Sequence, residues 1–148
     1  MKIAIGGDHA GFELKEGLRG LVESLGHEAL DMGACGTEPS DYPDFARSVG
    51  EAVREGRADR GILVCGSGAG VTVAANKIRG VRATLAHDVY TAHQGVEHDD
   101  VNVITMGARI IGPAIATEVV TAFLNAKFSG EERHLRRLNK VLELESEN

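Results

Sequence analysis

Gly61-Ile62-Leu63-Val64-Cys65, running directly into Gly66-Ser67-Gly68-Ala69-Gly70, is the stretch whose reading decides the fold. A short unbroken aliphatic run fits a strand buried on both faces, as in a parallel sheet covered by helices. The run stops at a cluster of glycines, and a helix is expected from there to about Lys77. Strand, tight glycine turn and helix in immediate succession make one half of a βαβ unit.

The same alternation extends in both directions. Lys2–Gly6 reads as a first strand, and Leu14, Leu18, Leu21, Val22 and Leu25 recur at helical spacing up to Gly26. His27–Met32 is a weaker strand. Gly33 to Pro43, with Asp41-Tyr42-Pro43, reads as a turn-rich segment, and Phe45, Val49 and Val53 mark a helix closed by Gly56. Val81–Ala86 and Val101–Met106 are two further strands with a helical stretch between them. Ile115, Val119, Val120 and Phe123 define another helix, and a polar terminal helix is expected over about 131–145. The prediction is a single α/β domain over residues 1–148, a Rossmann-like, three-layer, doubly wound parallel sheet of about five strands.

Composition agrees. Aromatic residues are only 4% of the 148 and there is no Trp, so aliphatic and small residues must fill the core. The net charge of -6 disfavours nucleic acid and anionic lipid as partners, so an anionic ligand needs a local cluster of Arg and His. Cys35 and Cys65 form neither a CxxC nor a disulfide framework, and Cys35 has no assignable role. The chain opens on a strand-like run without the look of a signal peptide, and no apolar stretch approaches the roughly 18 residues of a membrane span. The expected location is the cytoplasm.

In doubly wound sheets ligands bind beyond the carboxyl ends of the strands. Four predicted strand ends carry unusual chemistry: Gly7-Asp8-His9, Cys65 to Gly70, His87-Asp88, and Gly107-Ala108-Arg109. The glycines after Cys65 let backbone approach a ligand, and the following helix start turns free N–H groups toward it, a nest suited to an anion or a developing oxyanion. Cys65, at its mouth, is a candidate general base; the alternative is a buried thiol ending a strand beside a loop tuned for packing. The spacing fails GxGxxG at Val71, and it fails the P-loop and GxSxG patterns as well. Asp8 and His9 suit contact with a sugar, or Asp8 merely caps the next helix. His87, Asp88, His93, His98, Asp99 and Asp100 are dense in metal-ligand types but show no recognised ligand spacing, so no metal is expected. Arg133 and Arg137, four apart on one helical face, suit a phosphate; the alternative is a solvated helix end paired with Glu131, Glu132 and Glu143.

Taken together, the chain resembles the type B ribose-5-phosphate isomerases and the related galactose-6-phosphate isomerase subunits. The marks are Gly7-Asp8-His9-Ala10-Gly11-Phe12, Asp41-Tyr42-Pro43, Cys65-Gly66-Ser67-Gly68, Ala74-Ala75-Asn76-Lys77, Asn102-Val103, Gly107-Ala108-Arg109 and Arg133-His134-x-x-Arg137. The resemblance implies an enediolate mechanism on a sugar phosphate, no cofactor or metal, and a homodimer or tetramer with active sites shared between subunits, the terminal helix reaching the partner. It implies Cys65 as base and Ser67 as an assisting hydroxyl. It assigns the N–H groups of Gly66, Gly68, Ala69 and Gly70 to the enediolate, and Asp8 and His98 to ring opening. His9, Arg109, Arg133 and Arg137 would hold the phosphate, and Tyr42 would line the pocket. One departure bears on the substrate: Asp99 stands where the family usually has Asn, exchanging amide donors for charge. Ribose 5-phosphate to ribulose 5-phosphate is the expected reaction. The alternatives are the same chemistry on allose, galactose or a tetrose phosphate, or a non-catalytic sugar-phosphate-binding module.

Overall fold

The computed structural model describes residues 1–148. The chain alternates as β1 (Lys2–Gly7), α1 (Phe12–Ser24), β2 (Glu28–Asp31), α2 (Tyr42–Arg54), β3 (Arg60–Cys65), α3 (Ala69–Ala75), β4 (Ala83–Leu85), α4 (Val89–Asp99), β5 (Val103–Gly107), α5 (Pro113–Asn125) and α6 (Glu132–Ser146). All strand pairs are parallel, and the five-stranded sheet has the order β2-β1-β3-β5-β4. The expected architecture is present. The exchange of β4 and β5 in the order leaves β4, only three residues long, on an open edge.

Two aliphatic cores flank the sheet. On one face Leu18 and Val22 of α1, Ala92 and Val96 of α4, and Val119, Val120 and Phe123 of α5 pack against Ile3, Ile5, Ile62, Val64, Ile104 and Met106. On the other, Ala46, Val49 and Ala52 of α2 and Val71 and Ala75 of α3 cover Ala4, Leu63, Cys65 and Val103. Strand side chains alternate between faces, so an aliphatic run such as Ile62-Leu63-Val64-Cys65 feeds both cores in turn.

One boundary differs from the sequence pattern in a way that matters. Tyr42 and Pro43, expected in a turn, form the first turn of α2 behind Asp41 at the N-cap position. Proline lacks an N–H that a first helical turn leaves unpaired in any case, so it starts a helix as readily as it ends one. Tyr42 is thereby fixed on a helix instead of a loop.

Lys15 of α1 is wholly buried. Its ammonium donates to Asp31 Oδ1 at 2.8 Å and to the Ala34 carbonyl at 2.7 Å, with Glu16 3.2 Å away. A buried charge persists only when paired and hydrogen-bonded. Here it ties α1 to the end of β2 and to the root of the segment that follows. At Asp31 burial pushes the carboxyl up, but the Lys15 hydrogen bond, the Gly33 N–H and the nearby charges of Lys15 and Arg19 together hold it below the usual carboxylate value. A carboxyl lowered in the folded state adds stability above its unfolded pKa of about 3.9 and loses it as pH falls through the lower folded value. Asp31→Asn is therefore expected to lower Tm at pH 7 and to show a shallower acid decline below about pH 4. Parallel Tm–pH curves for the two proteins would show that the pair adds no pH-dependent stability.

Candidate active site

The register places Gly7 beside Val64 and Cys65 beside Gly107. The ends of β1, β3 and β5 therefore lie side by side, and the connections that follow β1 and β3 leave in opposite directions, the position at which a doubly wound sheet opens a crevice. Asp8, His9, Tyr42, Cys65, Gly66, Ser67, Gly70 and Arg109 line one cleft there, of about 470 Å3.

Cys65 is buried at the mouth of the loop, and its Sγ accepts the Gly68 N–H at 3.1 Å. Gly68 has φ +83°, and a Cβ on it would lie 2.5 Å from Leu85 Cδ1 and 2.8 Å from the Met106 carbonyl carbon. Both the left-handed backbone and the close approach require glycine. The loop is bonded to the end of β5 from both sides, with Ala108 N–H donating to Cys65 O at 2.8 Å and Arg109 N–H to Gly66 O at 3.0 Å. The Ser67 hydroxyl accepts the Ala69 N–H at 3.2 Å. Behind Ala69, the N–H groups of Gly70 and Val71 have no acceptor within the helix and remain available for an anion. Tyr42 packs its ring so tightly on Gly70 that a Cβ there would lie 2.8 Å from the ring.

Asp8 is buried, and its Oδ1 accepts the N–H groups of Ala10 and Gly11 at 3.0 and 3.2 Å. It closes the turn ahead of α1, whose own N-cap is Gly11 without a side-chain bond, and it also lines the cleft, with Oδ2 left without a partner. The Arg109 guanidinium lies over Gly66, where a Cβ would sit 3.3 Å from its Nη1. His87, at the end of β4, accepts the Gly107 N–H on Nε2 at 2.9 Å and so buttresses the strand under the loop.

The remaining candidates lie elsewhere in the same chain. α4 runs back along the sheet and ends where β5 begins, so His98 and Asp99 stand near the amino ends of the strands. From there β5 runs four residues, about 13 Å, from Val103 to Gly107, the residue that pairs with Cys65. The His98 ring stacks on that of His134, centroids 4.0 Å apart, and its Nδ1 meets Gln94 at 2.9 Å. His134 is buried, and its pKa is lowered by desolvation and by the neighbouring charge of His98 and Arg133. Arg133 pairs with Glu131 at 3.1 Å, the surface pairing weighed for this helix end. Arg137 and Asp99 line a separate groove of about 880 Å3 between α6 and the α3–β4 segment. A single chain thus brings Asp8, His9, Tyr42, Cys65, Ser67 and Arg109 together, and does not bring His98, Asp99, Arg133 or Arg137 to them.

The His- and Asp-rich stretch is dispersed among separate tasks. Asp88 caps α4 by accepting the Thr91 N–H at 2.7 Å, His93 pairs with Glu97 at 3.1 Å, and Asp100 pairs with Arg82 at 2.8 Å. Sequence reasoning missed Ser40, whose backbone N–H donates to His9 Nδ1 and whose hydroxyl accepts the His9 N–H, each at 3.1 Å. Its only signal was its place next to Asp41-Tyr42-Pro43.

A thiol and a hydroxyl at the mouth of a backbone nest, beside a carboxylate, an imidazole and a guanidinium, define an acid–base site for an anionic substrate on a doubly wound α/β sheet. Comparison with known proteins gives the particular family. Residues 3–141 match the Ribose/Galactose Isomerase family model. Ribose-5-phosphate isomerase B of Escherichia coli strain K12 is 40% identical over 144 residues, covering 97% of this chain and 96% of that protein. D-erythrulose-4-phosphate isomerase 2 of Mycolicibacterium smegmatis is 39% identical, covering 95% of each. The structure of Clostridium thermocellum ribose-5-phosphate isomerase B superposes with a TM-score of 0.97 at 42% identity, over 99% of both chains. The chain belongs to the ribose/galactose isomerase family and is a sugar-phosphate aldose–ketose isomerase. The reading as a non-catalytic binding module gives way to this.

The loop geometry yields a prediction. A Cβ on Gly107 would lie 2.5 Å from the Ser67 carbonyl carbon and 2.8 Å from the Gly66 oxygen, both rigid backbone. Gly107→Ala must displace the 66–68 loop. It is expected to lower kcat by at least about tenfold and to destabilise by about 1–3 kcal/mol, as overpacking does. Wild-type kcat in this variant, measured beside Tm, would show that the loop position does not govern turnover.

Proposed function

We propose that the protein interconverts ribose 5-phosphate and ribulose 5-phosphate through an enediolate, with Cys65 as the base. The observation that carries this is the convergence of Asp8, His9, Tyr42, Cys65, Ser67 and Arg109 on one cleft. The furanose form must open first: a proton reaches the ring oxygen as the O1 hydroxyl gives one up, the work assigned to Asp8 and His98. The Cys65 thiolate then removes the C2 proton. Charge that develops on the oxygens faces the N–H groups of the Gly66 to Gly70 loop, and the Ser67 hydroxyl moves a proton between O1 and O2. Reprotonation at C1 gives the ketose. His9 and Arg109, with Arg133 and Arg137, hold the phosphate, so remote binding energy aligns C1 and C2 with the sulfur.

The reading requires a homodimer whose two chains complete each site. His98, Arg133 and Arg137 do not line the Cys65 cleft of their own chain, and a two-fold partner is the means of bringing them to it. Exposed apolar side chains gather where such a partner would sit. Leu85 lies on the open β4 edge, Val73 on α3 is 63% exposed, and Val89 and Tyr90 open α4, Tyr90 being 66% exposed. Leu135, Val141, Leu142 and Leu144 are further exposed apolar side chains on α6. The same chemistry on a tetrose or hexose phosphate is the second reading. It is favoured by Asp99, whose carboxylate shares a groove with Arg137, and by the similarity to an erythrulose-phosphate isomerase. The proposed location is the cytoplasm; no helix is long and apolar enough to cross a membrane.

Ribose 5-phosphate incubated in D2O with EDTA-treated enzyme is expected to yield ribulose 5-phosphate carrying deuterium at C1 by NMR. Cys65→Ala should lose turnover while still binding sugar phosphate. Substantial conversion by that variant would assign the base elsewhere, and conversion of tetrose or hexose phosphates alone would move the substrate.

Site sharing has its own test. Cys65→Ala and His98→Asn chains are each expected to be nearly inactive on the ring form. Unfolded together and refolded as a 1:1 mixture, they should recover about a quarter of wild-type activity, since half the dimers are mixed and each holds one intact site. A mixture no more active than its components would place His98 outside the shared site.

A further inference from the structure

His9 is held by two reciprocal hydrogen bonds to a residue 31 positions away. Its backbone N–H donates to the Ser40 hydroxyl at 3.1 Å, and the Ser40 backbone N–H donates to its ring Nδ1 at 3.1 Å. A backbone N–H is only ever a donor, so the nitrogen it points at must carry a lone pair. With Nδ1 accepting, the proton of the neutral ring sits on Nε2, and Nε2–H is the only donor the ring has to offer.

Ser40 is itself held in place. The segment 33–40 is rooted against β1, where Gly7 N–H donates to Gly33 O at 2.8 Å and Ala34 N–H to Gly7 O at 2.6 Å. The buried Lys15 ammonium grips the Ala34 carbonyl from the other side. At its far end the segment enters α2 through Asp41, immediately after Ser40. The ring of His9 lines the Cys65 cleft and also the neighbouring cavity that it shares with Ala10 and Arg109.

We infer that Ser40 is a positioning residue for substrate phosphate: it fixes His9 in place and as the Nε2–H tautomer, so that the imidazole meets an anionic oxygen with a donor. The wrong tautomer would turn a lone pair toward the anion, exchanging a hydrogen bond for repulsion. This inference rests on the proposal that His9 contacts the phosphate. It goes further in assigning the protonated nitrogen and the residue that selects it.

The test combines spectroscopy with kinetics on the full-length enzyme. Long-range 1H–15N correlation of protein labelled at histidine, with the His9 signals assigned by their loss in His9→Gln, is expected to show Nε2 protonated and Nδ1 bare. Ser40→Ala removes the hydroxyl anchor, and KM for ribose 5-phosphate should rise about fivefold, the worth of about one hydrogen bond, with kcat nearly unchanged. The inhibition constant of inorganic phosphate should rise by a similar factor, and Ser40→Thr, which keeps a hydroxyl, should restore both. A proton on Nδ1 in the wild-type enzyme overturns the inference whatever the variants do. So does a Ser40→Ala enzyme with unchanged KM and phosphate inhibition. His9→Gln reports on the underlying proposal separately: unchanged phosphate inhibition in that variant removes His9 from the phosphate site, while the tautomer spectrum still decides what Ser40 does to the ring.

Discussion

The backbone of Ser67 and Gly68 lies directly against the backbone of Met106 and Gly107, with no side chain between them. Two glycines make the contact possible, one by accepting a left-handed φ and the other by leaving room for its neighbour's carbonyl. The Cys65 side of the site is referred to this contact. It sets where the Cys65 sulfur stands relative to the N–H groups that follow it, and it brings Arg109 over Gly66. The cost of this arrangement is backbone with little freedom to adjust, and its benefit is a preorganised set of donors that need not move as charge develops. His87 completes it from beneath by accepting the Gly107 N–H.

A second constraint is charge. The protein is acidic overall, yet its substrate class is anionic. Its cations are therefore grouped, with Arg109 at the cleft and Arg133 and Arg137 on α6, while other charges are used for structure. Lys15 is spent entirely on holding α1, Asp31 and the root of the 33–40 segment together. That segment then carries Ser40 to His9, so a buried cation contributes to the geometry of an imidazole that lines the cleft.

Much of the site was legible in the sequence because βα loops in parallel sheets carry short contiguous motifs. Asp8-His9 and Cys65 to Gly70 each follow a recognisable strand, and the doubly wound pattern alone predicts that such ends converge. Tyr42 lines the cleft from a helix start and not from the expected turn, since proline punctuates a helix start and a turn alike. Ser40 and the stacking of His98 on His134 left no local trace. Both are pairings across 31 and 36 positions, and no period or motif records them.

Periodicity and glycine placement determined by themselves that this is a parallel α/β protein with chemistry at its strand ends. Buried strands must be aliphatic on both faces, and several of the turns between elements take a left-handed φ at glycine. Tertiary structure alone decided the exchange of β4 and β5, which puts the three-residue β4 on a sheet edge, and the absence of His98 from the Cys65 cleft of its own chain. It also decided which nitrogen of His9 accepts a hydrogen bond. These depend on how elements distant in the chain meet, and residue order carries no signal for a contact whose partners are specified only by packing.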